Sequence, residues 1–124
     1  MEKGTNKSNL VSSRKLFEEV FANFGIEGQK YLFFEETGEL MKAISQYERA
    51  SGTKNMNIRR NKIASAIANV TIMLSQLKVI YAIDEHSVNS YIDSQLDALD
   101  YELQQKLYNR DRKLTIAQLY GGAI

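Results

Sequence analysis

A chain of 124 residues, 44% hydrophobic and 25% charged, has the length and composition of one globular domain with a real core. A formal net charge of +1 gives no global attraction to nucleic acid or to an anionic membrane surface. The absence of cysteine removes disulfides, iron–sulfur clusters and thiolate zinc sites, and the single histidine, His86, removes imidazole-rich metal sites.

The opening segment, residues 1–11, is polar and expected to be flexible. No apolar stretch follows it, so no signal peptide is expected. By the same reading no stretch reaches the roughly 18 uncharged apolar residues that span a bilayer. The expectation is a soluble, cytoplasmic protein with neither membrane nor nucleic acid as partner. The chain also lacks proline, which breaks helix interiors, so it suits a fold made mostly of helices.

A first helix begins at Ser12 or Ser13, either of which can cap it, and stops at Gly25. Leu16, Phe17, Val20, Phe21 and Phe24 supply its apolar face at three-to-four spacing. A second helix is expected over about 28–51, with Leu32, Phe33, Leu40, Met41, Ile44 and Tyr47 as its stripe and Gly52 past its end. The turn-forming segment "GTKNMN", residues 52–57, connects it to a third helix over about 58–83. Apolar residues cover more than one face of that third helix, which makes it the expected central, most buried element.

Residues 84–87, "DEHS", form a loop with Ser87 as the next cap, and His86 is expected at the surface. A fourth helix follows, with Val88, Ile92, Leu96, Leu99, Leu103 and Leu107 on a narrow stripe like a bundle or coiled-coil seam. Residues 113–124 are left as a C-terminal tail. Four helices with short connections predict an all-α, antiparallel four-helix bundle in one domain. Helices of about 25 residues would be about 37 Å long at 1.5 Å per residue, so a lone bundle leaves the fourth stripe exposed. A homo-oligomer, dimer or tetramer, is the expected assembly.

Within the second helix, "FFEETGELMKAI" (33–44) sets Glu35, Glu36 and Glu39 in an apolar run. Spacings of three and four put all three near one helix face, where like charges repel by a few tenths of a kcal/mol per pair. A solvated stripe balanced by Lys30 and Lys42 accounts for them; so does a site for a divalent cation. Arg59, Arg60 and Lys62 open the third helix and are candidate phosphate contacts, although a basic first turn is most often solvated. Tyr31, Phe33 and Phe34 suit core packing, or stacking on a base.

The stretch "GIEGQKYLFFEETGELMKAI" resembles the start of the MazG-like family of all-α nucleoside triphosphate pyrophosphohydrolases, related to dimeric dUTPases. Glu35, Glu36 and Glu39 match that family's EExxE motif, Gln29 stands where the family carries a glutamine, and the resemblance covers about residues 14 to 83. It implies a magnesium site facing a triphosphate, in which the metal neutralises the chain and activates water. The family's second motif, ExxD, is altered here. In "SAIANVTIML" Ala66 stands for the glutamate and Asn69 for the aspartate. Alanine offers no oxygen, whereas asparagine keeps a neutral carbonyl that ligates weakly. The family's basic residues on the last helix also align with Gln95 and Ala98.

The resemblance therefore implies a metal site of Glu35, Glu36, Glu39 and, weakly, Asn69, with Ala66 as a degenerate ligand position and magnesium bound weakly or only with nucleotide. Loss of such ligands is worth about a thousandfold or more in rate. Two functions follow: a nucleotide-binding pyrophosphohydrolase homologue with weak or absent hydrolysis, or a non-catalytic module that sequesters nucleotide or binds a regulatory protein.

Overall fold

The computed structural model describes residues 10, 13–50, 52 and 54–121. The expected flexible segment 1–11 lies outside them except for Leu10, as do Ser12, Ser51 and the last three residues. The fold is all-α, with four helices in the order α1 (Arg14–Phe24), α2 (Ile26–Arg49), α3 (Met56–Ile80) and α4 (Glu85–Leu119). The described residues group into two compact units that divide between Ile83 and Asp84. The first contains α1, α2 and α3; the second is α4.

Gly25 separates α1 from α2. Its N–H donates to Phe21 O at 3.0 Å, closing α1, and its φ of 84° turns the chain straight into α2. A side chain at that φ would be strained, which is why glycine stands there. α2 thus begins at Ile26, earlier than the sequence suggests, and Gly28 sits within it. Asn55 makes the tight entry into α3 in a left-handed conformation, φ 73°. The short segment between Arg49 and Met56 returns the chain, so α2 and α3 form an antiparallel hairpin, with α1 packed against both.

The hairpin closes on small residues. Phe17, Ala43, Ala50, Ala66 and Met73 are the buried apolar side chains, and among the described residues no large side chain is fully buried. α3 carries Ala66, Met73, Ser75 and Gln76 in buried positions, yet Ile58, Ile67, Ile72 and Leu74 remain exposed. Among the described residues α3 carries the most buried positions of the four helices, as its apolar spacing predicts; alanine at the contact brings the backbones together and leaves the larger residues outside it. The sequence holds no run of about 18 uncharged apolar residues, yet one helix passes a test of length and mean hydropathy. α3 holds an 18-residue window of mean hydropathy 1.6, long and apolar enough to cross a membrane, with 22% of it buried. Isoleucine, valine and leucine carry that mean between interspersed Ser, Asn, Thr and Gln, a composition that core helices share.

At its C-terminus α3 ends in a Schellman arrangement. The N–H of Ile83 donates to Lys78 O at 2.8 Å and that of Ala82 to Val79 O at 3.2 Å. Ala82 occupies the left-handed position, φ 52°, where glycine is the usual residue.

In the second unit, α4 starts at Glu85. Asp84 is its cap in place of Ser87: its carboxylate Oδ1 accepts from the His86 N–H at 3.1 Å. "DEHS" offers two capping side chains, and the earlier one also sets Glu85 in the first turn, where it complements the helix dipole. α4 then runs through Leu119, so residues 113–119 of the expected tail are helical. No residue of α4 is buried.

Candidate functional site

Along the α2–α3 hairpin, Glu36 and Glu39 from α2 meet Ala66 and Asn69 from α3 in a cleft of about 400 Å³. Lys42, Ala43, Gln46, Lys62 and Ser65 complete its lining. Spacings of three and four residues set Glu36, Glu39, Ala43 and Gln46 on one face of α2, and Lys62, Ser65, Ala66 and Asn69 on one face of α3. The structure thus brings Glu36 and Glu39 against Ala66 and Asn69, as the short connector predicts. Glu35 does not share that lining and is exposed.

The lining carries two carboxylates and two ammonium groups, Lys42 and Lys62, so its formal charge is balanced. Among the described residues no three Asp, Glu, His or Cys side chains are placed to hold one metal ion. Magnesium keeps several of its waters and is usually bound through one or two carboxylates together with substrate phosphates. Two glutamates and one amide oxygen beside two ammoniums suit a magnesium that arrives on phosphate better than one held by the protein alone.

Ala66 is 7% exposed and Ala43 is 9% exposed, on facing helices. The sequence presents Ala66 as a ligand that has been lost; the structure gives it a packing role at the hairpin contact. Asn69, by contrast, is exposed while lining the cleft.

A second cavity, of about 560 Å³, lies at the connector end and shares Gln46 with the cleft. Arg49, Ala50, Lys54 and Arg59 form the rest of its lining among the described residues, and three of these are cations. Arg59 is half-buried, and its Nε is shielded from solvent with no hydrogen-bond acceptor. The three basic residues singled out in the sequence therefore separate: Arg59 joins this cavity, Lys62 joins the cleft, and Arg60 turns its Nη1 to Asn57 Oδ1 at 3.5 Å. Arg49, Lys54 and Lys42 were not candidates from sequence. Arg49 ends α2 and Lys54 lies in the connector, so only the return of the chain makes them neighbours of Arg59.

The aromatic candidates gather elsewhere. Tyr31, Phe33 and Phe34 line a pocket of about 290 Å³ with Glu27, Lys30, Leu77 and Tyr81. Phe33 and Phe34 pack with ring centroids 5.7 Å apart, and Lys30 Nζ lies 5.1 Å from the centre of the Tyr81 ring. The Glu27 carboxylate accepts from Lys30 Nζ at 3.2 Å and raises the Lys30 pKa, opposed by desolvation. Phe34 and Glu36 are two residues apart, about 200° around α2 at 100° per residue, so Phe34 faces away from the carboxylate cleft, whereas Phe33, three residues before Glu36, lies on a neighbouring part of the helix surface. His86 is exposed, as expected; Gln95 and Ala98 are exposed on α4.

No protein-family model, curated protein or solved structure matches the chain.

Proposed function

We propose that the hairpin of α2 and α3 is a MazG-like nucleotide-binding module that holds a phosphate chain and turns it over weakly or not at all. The observation that carries this reading is the cleft itself, with Glu36 and Glu39 opposite Ala66 and Asn69 and two lysines in the same lining. Lys42 and Lys62 supply charge-assisted hydrogen bonds to phosphate oxygens. The adjoining cavity of Arg49, Lys54 and Arg59 extends the positive surface through Gln46.

Hydrolysis between phosphates needs a metal held firmly against the chain and a positioned water. The carboxylates here are too few for that, and magnesium enters this reading only as a counter-ion carried by the ligand. The MazG-like bundle and its assembly as a homo-oligomer belong to the same proposal.

Titration calorimetry with nucleoside mono-, di- and triphosphates, with and without magnesium, tests it. Binding is expected to strengthen with phosphate number. Lys62→Ala is expected to weaken it about tenfold, the scale of one hydrogen bond to a charged group. Pyrophosphate release is expected to remain at background. Heat with no nucleotide, or release at an ordinary enzymatic rate, would each overturn the reading.

A further inference from the structure

We infer that α4 pairs with α4 of a second copy of this chain, antiparallel and centred on Leu103. This inference rests on the homo-oligomer of the proposed reading and gives it a helix, a direction and a register; its test involves no nucleotide, so it can fail while nucleotide binding stands.

α4 is 35 residues long, about 52 Å at 1.5 Å per residue, and none of its residues is buried. One helix cannot cover its own stripe. Ile92, Leu96, Leu99, Leu103 and Leu114 are all exposed by about half or more of their surface. Val88, Tyr91, Ile92, Gln95, Leu96 and Leu99 outline an open apolar depression on the first half of the helix. An apolar row of this length requires an occupant.

Two features of the sequence identify the occupant. The first is the spacing of the row. From Ile92 through Leu96, Leu99, Leu103, Leu107 and Arg110 to Leu114, the steps are four, three, four, four, three and four. That series reads the same in both directions about Leu103. An antiparallel copy centred there sets Ile92 at the level of Leu114, Leu99 at the level of Leu107, and Leu103 against itself. Leu96 meets the level of Arg110, whose methylene stem can lie over an apolar neighbour while its guanidinium reaches water. The recurrence of Ile92, Leu103 and Leu114 every eleven residues keeps the row nearly straight along the helix.

The second feature is charge. Residues 84–105 contain six acids, Asp84, Glu85, Asp93, Asp97, Asp100 and Glu102, and no lysine or arginine. Residues 106–119 contain Lys106, Arg110, Arg112 and Lys113 against Asp111 alone. An antiparallel pair lays each acidic half along a basic half and opposes the helix dipoles favourably, whereas a parallel pair sets like halves together. Near the centre, Glu102 and Lys106 fall on the same flank of the row, so each approaches its opposite in the second copy.

Sedimentation of the full chain across a concentration series is the first measurement, with a dimer expected at tens of micromolar. Arg110→Leu completes the row opposite Leu96 at two symmetric places and is expected to tighten association about tenfold. Leu103→Asp sets two carboxylates against each other and is expected to give a monomer with its helical circular dichroism intact.

Because the chain has no cysteine, cross-linking fixes the direction whether or not that variant folds. Under mild oxidation Leu103→Cys is expected to link to itself. Ile92→Cys is expected to stay unlinked alone and to link when mixed with Leu114→Cys. A monomeric wild-type protein would overturn the inference. Self-linking of Ile92→Cys as fast as Leu103→Cys would mean a parallel pair and would overturn it equally.

Discussion

The α2–α3 hairpin and α4 both present helical apolar spacing, and the two regions use it differently. In the hairpin, alanines at the contact let two backbones approach and leave a polar cleft beside the seam. In α4, leucines spaced by threes and fours make a continuous row that its own unit leaves open. Small residues at a helix contact make a close pair that shapes a site; a row of large residues on a lone helix makes an interface. The position where this contrast is sharpest is residue 66, because there the contact and the candidate site share one side chain.

The largest expected effect breaks the hairpin side of the comparison. Ala66→Glu places a carboxylate at a position 7% exposed. Burying an incompletely paired charge is costly, so the substitution is expected to lower stability by about 3 kcal/mol, read from urea denaturation. A loss under about 0.5 kcal/mol, the ordinary range for a surface site, would show that position 66 can open to the cleft. Ala66 would then be a vacated ligand position rather than a packing residue.

A smaller effect of opposite sign comes from Gln76. It is 5% exposed, and its Oε1 has no hydrogen-bond partner. Gln76→Met keeps the length of the side chain and removes the orphaned acceptor. It is expected to raise stability by about 1–2 kcal/mol, the penalty of an unsatisfied buried polar group. An unchanged denaturation midpoint would mean that water reaches the oxygen.

At the end of α3, Ala82 sits at φ 52° with a Cβ that this conformation disfavours. Ala82→Gly is expected to gain about 1 kcal/mol, since the relief of left-handed strain exceeds the added chain entropy of glycine. The thermal midpoint reads it. The gain belongs to the first unit, so the α4 row should respond to none of these three changes, which dimer dissociation measured on the same variants would show.

How much of this was legible in the sequence differs from place to place. Gly25 marked the end of α1 because its φ is one that few residues adopt. The connector expected over 52–57 marked the turn between α2 and α3, although α2 stops at Arg49 and α3 begins at Met56, two residues earlier than expected on each side. Gly28 and Ser87 misled, because each is a boundary residue in general but lies inside a helix whose neighbour, Gly25 or Asp84, made the stop or cap first. The glutamates show a different kind of failure. Spacing puts Glu35, Glu36 and Glu39 within about 100° of arc, but the crossing of α3 decides which part of that arc becomes a cleft. The basic cavity of Arg49, Lys54 and Arg59 was unreadable for the same reason, since it exists only after the chain turns back. α4 was legible in its stripe and not in its length, because the residues after Lys113 carry no strong period.

The smallest expected effect on stability is also the one that sharpens the site. Asn69 is exposed and lines the cleft, so Asn69→Asp adds a charge without burying one. Its effect on folding is expected to stay within about 0.5 kcal/mol, as for other surface substitutions. Its effect on binding has a sign that depends on the cation. Without magnesium, a third carboxylate beside Glu36 and Glu39 repels phosphate and offsets Lys42 and Lys62, so nucleotide affinity should fall. With magnesium, the same carboxylate becomes a further oxygen for a cation that already sits on the phosphates, so affinity should rise. Calorimetry of the Asn69→Asp protein with one nucleoside triphosphate, at zero and at saturating magnesium, should therefore move in opposite directions from the wild type. Parallel shifts in both conditions would place the phosphate chain away from residue 69. In that case the cavity of Arg49, Lys54 and Arg59 would become the site to vary next.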